Sequence, residues 1–332
     1  MNIDCRIARN IRLSVVIASY NRANLLPDCI ATLRKSGVDL QIIVVDDGSK
    51  DNTAEVVRSL GSDILYIYQE NQGLSAARNT GIRAADTQYI AYLDSDDYWF
   101  PDVAPSMLEI LDQYPQIGAI FAESQVGNDE QGYTSWIQSA GTEEFQKLPS
   151  TDLRPELKLM ESEPLYRLLI RRNVVFTGAI IQRRELVLKA GLFDINLKAT
   201  GDWELWMRLL PLSPFAYYNK SLAIYTRHDD NMTNNQEVMQ KAFCDTLYLH
   251  SQKNTSWYRT HQQLFETALR DHVFYYGYSA FKRGDYSAAF TRFEEGCKRV
   301  GFDSRLFLFK TVSGLPKPLI DMIRYLSSLT SR

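Results

Sequence analysis

Cysteine is scarce in this chain. The four in 332 residues (Cys5, Cys29, Cys244 and Cys297) stand far apart. None forms a CxxC pair and no histidine lies at zinc spacing, so neither a disulfide framework nor a structural zinc site is expected. Neither sign of charge dominates: 37 Lys and Arg face 40 Asp and Glu, a formal net charge of −3. Broad attraction to nucleic acid is therefore excluded, and any phosphate site must be local. No run is long and apolar enough to span a bilayer, and the opening MNIDCRIARNIRL scatters charge where a signal peptide would carry an apolar core. A cytoplasmic protein, at most peripheral to a membrane, is the expectation. Also missing are a GxGxxG after the first strand and a GxxxxGK anywhere, which disfavours dinucleotide-dependent dehydrogenases and P-loop enzymes.

What is present belongs to a folded enzyme-sized chain, with 45% apolar and 23% charged residues, enough to bury one or two cores. The β-branched run IRLSVVIAS ends in SYNR and is followed by helical spacing at Leu25, Leu26, Ile30 and Leu33, until Gly37 stops it. LQIIVV breaks into DDGSKDNT before a second helix around Ala54, Val57 and Leu60. DILYIY, the helix in ENQGLSAARNTGIRAAD and the strand QYIAYL running into DSDD complete the pattern. Strands that are nearly continuous in apolar residues and alternate with helices predict a mostly parallel sheet covered on both faces. Ligands of such sheets sit beyond the carboxyl ends of the strands, where SYNR, DDGS and DSDD should converge.

A helix to about Tyr114 and the strand IGAIFAE follow; residues 124–163 are polar and weakly periodic and read as an insertion or lid. Order returns at VVFTGAIIQRRELVLKAGLFD, a strand then a helix, at the helix GDWELWMRLL, and at the strand-like FAYYNKSLAIYTRH. From about Gln236 the composition is helical to the end, dividing the chain into domains 1–235 and 236–332. Tyr278, Phe281, Tyr286, Ala289 and Phe293 are spaced for two antiparallel helices joined at Gly284 and Asp285, a single tetratricopeptide-like hairpin. One such unit forms no solenoid, so it should pack on the enzyme, on a protein partner or on a second copy. The final PLIDMIRYLSSL is amphipathic and suits docking on protein or lying on lipid.

Six segments in order, SVVIASYNR, VVDDGSKDNT, NQGLSAARNTGI, YIAYLDSDDYWFP, FTGA and GDWELWMRL, resemble the family 2 glycosyltransferases of GT-A fold. The resemblance covers roughly residues 11–235. It implies a Rossmann-like sheet flanked by helices and inverting transfer from a nucleotide sugar, UDP-linked by family habit, to a saccharide or lipid-linked acceptor of polysaccharide assembly. It also implies Mn2+ or Mg2+ as cofactor, because a departing diphosphate needs a Lewis acid and hard cations need oxygen ligands.

By the same resemblance Asp96 is the metal ligand of the DSDD motif, while Asp94 and Ser95 lie on the donor side. A solvated acidic turn is the bland alternative. Asp46 and Asp47 would reach the base and ribose, unless one of them only caps the DDGS turn. Ala18, Ser19, Tyr20 and Arg22 would line the donor pocket; Ala18 stands where the family usually has proline. Arg78 offers a planar donor fork to diphosphate or base carbonyls, its rival role being a surface ion pair with Asp86 or Glu70. Asp202 resembles the general base, although it also sits where a helix N-cap would. Many members have Glu-Asp before the Trp; this chain has Gly201-Asp202. His228, in YTRHDDNMT, would complete the metal or diphosphate shell, with simple solvent exposure as the alternative. The competing function is a catalytically silent nucleotide-sugar-binding or scaffold protein working through the helical tail.

Overall fold

A computed structural model describes residues 11–139, 142–229 and 231–330. Cys5 and the rest of MNIDCRIARN lie outside the described residues. Two compact units divide the chain, 1–229 and 230–332, a few residues ahead of the sequence-based boundary because a 3-10 turn at Met232–Asn234 packs with the helix that follows it.

Three βα units open the first unit: β1 (Leu13–Ser19) and α1 (Leu26–Arg34), β2 (Leu40–Asp46) and α2 (Thr53–Leu60), β3 (Ile64–Tyr68) and α3 (Leu74–Ala84). Pro27 falls in the first turn of α1, where a missing N–H leaves no bond unmade. Next come β4 (Tyr89–Tyr92), the two-residue β5 (Tyr98–Trp99), α4 (Val103–Gln113) and β6 (Ala119–Asn128). After them lie β7 (Gly132–Ser135), α5 (Trp136–Ser139), α6 (Thr142–Gln146), β8 (Ser150–Arg154), β9 (Leu157–Met160) and α7 (Ser162–Arg171). A 3-10 turn at Thr177–Ala179, β10 (Ile180–Arg183), α8 (Arg184–Lys189), α9 (Gly201–Leu209) and β11 (Phe215–Thr226) complete the unit.

The sheet runs β3-β2-β1-β4-β10-β6-β11-β9-β8, with β5 paired to β11 and β7 to β6. Its first four strands are parallel. Every residue of β4 is buried, as are all but one of β1, because helices cover both faces. β10 enters antiparallel between β4 and β6, and β6 pairs parallel with β11. α3 lies so close to β1 that a Cβ on Gly81 would stand 2.4 Å from Val16 Cγ1.

Much of the stretch 124–163 is regular structure joined to the sheet. β6 continues to Asn128, and the β8–β9 hairpin joins the main sheet through the pairs Ala216–Leu159 and Tyr218–Leu157. Its periodicity is faint because β8 is an edge strand with no fully buried position. Within VVFTGAIIQRR only Ile180–Arg183 is strand; Thr177–Ala179 is the 3-10 turn.

The second unit is helical: α10 (Gln236–Gln252), α11 (Ser256–Thr260), α12 (Gln262–Arg283), α13 (Tyr286–Val300), α14 (Ser304–Ser313) and α15 (Lys317–Thr330). Gly284, at φ +82°, ends α12, and the Asp285 side chain caps α13 by accepting from the Ala288 N–H at 3.0 Å. Phe274, Tyr278 and Phe281 of α12 each place a ring within 5.3–5.4 Å of Phe309 of α14, so the aromatic residues that mark this segment form its core. No helix among the described residues is long and apolar enough to cross a membrane.

Candidate active site

The three polar loops meet at the carboxyl edge of β1, β2 and β4. Asp47 N–H donates to Ser19 O at 2.8 Å, Asn21 N–H to Ser49 Oγ at 2.9 Å, and Lys50 N–H to Asn21 Oδ1 at 2.7 Å. Asn21 takes a left-handed backbone, φ +52°, to make this zipper. Ser19 is buried and its hydroxyl has no hydrogen-bond partner. Tyr20 is exposed beside it, and Ala18, Arg22 and Ser95 range from half-buried to buried.

Both acids of DDGS are buried and bonded within the chain. Asp46 Oδ1 accepts from Ser49 N–H at 2.8 Å and Oδ2 from the Tyr66 hydroxyl at 2.7 Å, so Asp46 does cap the turn. Asp47 Oδ1 accepts from Gln69 Nε2 (2.7 Å) and Gln72 N–H (2.9 Å), and its Oδ2 from Gly73 N–H (2.8 Å). These bonds pin the segment leading into α3, where Gly73 has φ +91°.

The DSDD turn carries three differently placed acids. Asp94 Oδ1 accepts from Arg78 Nη2 at 2.7 Å. Arg78 is buried, stacked 5.5 Å from the Phe193 ring, and pairs with neither Asp86 nor Glu70 in any described contact. Burial alone would lower its basicity; the charges of Asp94 and then Asp202 outweigh that and raise it. Asp96 Oδ2 lies 3.0 Å from His228 Nε2, both side chains partly open to solvent. Asp97 is buried, with Oδ1 accepting from Thr226 N–H at 3.1 Å and Oδ2 unpartnered. Desolvation pushes its carboxyl well up, and the charges of Asp94 and Asp96 add to that. Asp97 thus ties the end of β11, two residues before His228, to the turn that carries Asp96.

Asp202 is not the N-cap of α9. Thr200 holds that position, at φ +59°, and Asp202 lies in the first turn. Its Oδ2 accepts from Thr177 Oγ1 at 2.7 Å and Asn173 Nδ2 at 3.1 Å. Glu204 points away and is fully buried, bonded to Arg208 Nε at 2.8–2.9 Å. Arg208 also donates to the carbonyls of Ala190 and Leu192, locking α9 to the turn after α8. The loop before α9 is held by α3: Asn79 bonds both ways with the Phe193 backbone at 2.9 Å, and Ser75 Oγ reaches Leu197 O at 3.2 Å. Gly201 leaves room for that approach, since a Cβ there would lie 2.7 Å from Ser75 Oγ.

Asp94, Arg78 and Asp202 therefore form one electrostatic group, and Asp96 with His228 a second on the same turn. Among the described residues no group of three or more His, Cys, Asp or Glu side chains forms a metal cage. The donor set is one carboxylate and one imidazole, which fits a hard divalent ion that takes its remaining ligands from a diphosphate and water.

The sequence profile described as Glycosyl transferase family 2 matches residues 14–176. An uncharacterized glycosyltransferase of Rickettsia typhi is 31% identical over 237 residues, covering 71% of this chain and 70% of that protein. The chain belongs to glycosyl transferase family 2. Glycosyltransferase GlyA of Streptococcus pneumoniae serotype 4 is 30% identical over 224 residues, 64% of this chain but only 30% of its own length. Among solved structures, S. aureus TarS 1–349 in complex with UDP-GlcNAc superposes with a TM-score of 0.65 over 95% of this chain and 88% of that one, at 16% identity. The mannosyltransferase PcManGT of Pyrobaculum calidifontis, in complex with GDP-Man and Mn2+, gives 0.51 over 96% and 88% at 15% identity. These superpositions establish the shared fold.

This family 2 glycosyltransferase is a transferase enzyme, and several residues of its cleft carry no signal strong enough to be read from sequence. Asn173 has none. Thr177 lies inside FTGA and Asp97 closes DSDD, so motif membership alone marks them; Ser75 and Asn79, in LSAARNTG, act through the loop they hold.

Proposed function

We propose that the enzyme is an inverting glycosyltransferase that moves a sugar from a nucleoside diphosphate sugar, UDP-linked in the first instance, to a saccharide or lipid-linked hydroxyl. The observation that carries this reading is the Asp94–Arg78–Asp202 group, in which a carboxylate oriented by Thr177 and Asn173 shares one guanidinium with the acidic turn.

Asp202 takes the proton from the acceptor hydroxyl as its oxygen bonds to the anomeric carbon and the bond to the diphosphate oxygen breaks. A single displacement inverts the anomeric centre, so an α-linked donor gives a β-linked product. Arg78, held by Asp94, presents positive charge where the leaving group gains negative charge. Asp96 and His228 would hold Mn2+ or Mg2+, which supplies Lewis-acid stabilisation of the diphosphate. On the nucleotide side the Ser19 hydroxyl is unpartnered and the Tyr20 ring exposed, both suited to a base. Asp47 accepts three N–H bonds, leaving about one of its four lone-pair sites for an imide or ribose donor.

UDP-GlcNAc and GDP-mannose, the ligands of the related structures, are two of the probes, and UDP-glucose is a third. Thermal melts of the full chain with UDP-GlcNAc, UDP-glucose and GDP-mannose, with and without MnCl2, should show stabilisation of about 2.7 kcal/mol at a hundredfold excess over Kd for the true donor. The Asp96→Asn variant should lose the manganese-dependent part. Absence of any shift across nucleotide sugars would overturn the donor reading, and a shift indifferent to manganese would overturn the metal reading.

A further inference from the structure

The second unit carries an apolar surface that the transfer reaction does not use. On α14, Phe307 and Leu308 are 56% and 58% exposed, and Phe302, at 80%, stands with its ring 6.0 Å from that of Phe307. On α15, Leu319, Met322 and Ile323 are exposed at positions i, i+3 and i+4, one helical stripe, while Ile320 between them is fully buried and anchors the helix. Exposed large apolar residues gathered on two consecutive helices differ from the single scattered ones any surface shows.

Charge indicates what meets this surface. Residues 301–332 hold five basic and two acidic residues, whereas residues 1–300 hold 32 basic and 38 acidic. Lys298, in the last turn of α13, adds to the basic end, while Arg299 beside it pairs with Asp245 at 2.7 Å. Arg305 and Lys310 make surface pairs with Asp271 and Glu294 at 3.0 and 3.3 Å; such pairs are weak enough to exchange for phosphate. A second copy would set basic against basic. An anionic phospholipid surface offers negative headgroups to the charges and an acyl boundary to Phe, Leu, Met and Ile.

We propose that α14 and α15 lie in the interface of a membrane rich in anionic phospholipid, with Phe302, Phe307, Leu308, Leu319, Met322 and Ile323 as the inserted side chains. The surface works independently of which nucleotide sugar the cleft takes.

Flotation of the full chain with vesicles of phosphatidylcholine alone, and with 30% phosphatidylglycerol, tests this. Binding is expected on the anionic vesicles, at least about tenfold weaker on the neutral ones or in 0.5 M NaCl. The double variants Phe307→Ser with Leu308→Ser, and Met322→Ser with Ile323→Ser, should each lower the partition constant by about tenfold or more, with the thermal melt and the nucleotide-sugar shift unchanged. Failure of the parent chain to float with anionic vesicles overturns the proposal, as does parental binding by both variants. A concentration-dependent dimer in sedimentation equilibrium, abolished by the same substitutions, would assign the face to a second copy and overturn it equally.

Discussion

Replacing Asp202 with asparagine separates the chemistry of the cleft from its architecture. The carboxylate accepts two bonds on one oxygen, from Thr177 at 2.7 Å and Asn173 at 3.1 Å. In Asp202→Asn the new amide must turn its oxygen to that side, because its NH2 would otherwise face the Asn173 donor. Its nitrogen then occupies the place of the other carboxylate oxygen, a donor where an acceptor is required. Exchanging charge-assisted bonds for neutral ones costs about 1 kcal/mol of stability, and buried Arg78 loses one of its two negative neighbours. Loss of a general base costs about 10²–10⁴ in rate, or about 2.7–5.4 kcal/mol at the barrier. The assay is release of nucleoside diphosphate with kcat and KM measured separately. The expected result is kcat down by at least about a hundredfold with the donor KM within about twofold. Retention of kcat within about threefold would remove Asp202 from the base role, and a lost donor-induced thermal shift would reassign it to donor binding. Thr177→Val, which keeps the carboxylate and removes one of its orienting bonds, should fall between parent and D202N.

Other consequences follow from packing and charge. Gly81→Ala drives a methyl into Val16 and should cost about 1–3 kcal/mol in denaturant unfolding, largely recovered with Val16→Ala; an unaffected midpoint would mean that α3 can lift from β1. Glu204→Gln leaves Arg208 buried against a neutral partner and should cost about 3–5 kcal/mol, read as a lowered urea midpoint; a loss under 1 kcal/mol would show that the carbonyls of Ala190 and Leu192 suffice for the guanidinium. Burial holds the His272 imidazole below its ordinary value, with the charge of Asp271 opposing. The unfolded chain therefore binds the proton first, so stability is complete above about pH 6.5 and falls as pH drops toward the folded value. His272→Gln should flatten that slope in melts between pH 7 and 5, and an unchanged slope would refute the assignment.

The parallel half of the sheet is legible in sequence because its strands are buried on both faces and end in polar loops: LSVVIAS, LQIIVVD and YIAY need no tertiary information. The same logic fails where a strand has little to bury. β5 is two residues long and exists only through its pairing with β11, and β8 shows almost no alternation. α7 escapes the sequence reading although Leu165, Leu168 and Leu169 share a face, because the polar stretch before it obscures its start. Within the cleft, motifs point to loops and leave the partners of each side chain open. Asp46 and Asp47 are neighbours with the same chemistry, and only the folded chain shows one capping a turn and the other gathering the N–H groups of residues 72 and 73. Arg78 likewise has acids at local spacing, and it bypasses them for Asp94, sixteen residues on and brought close by the β1–β4 pairing.

Asp47 has a kinetic consequence as well. Its bonds to Gln69, Gln72 and Gly73 hold the segment leading into α3 with the chain's own groups, so on the proposed donor-binding reading the cost of ordering residues 69–73 is met when the chain folds and not at each turnover. A segment ordered in advance lets the first encounter proceed near the orientational limit of diffusion, and discrimination among candidates then rests on how fast the wrong ones leave.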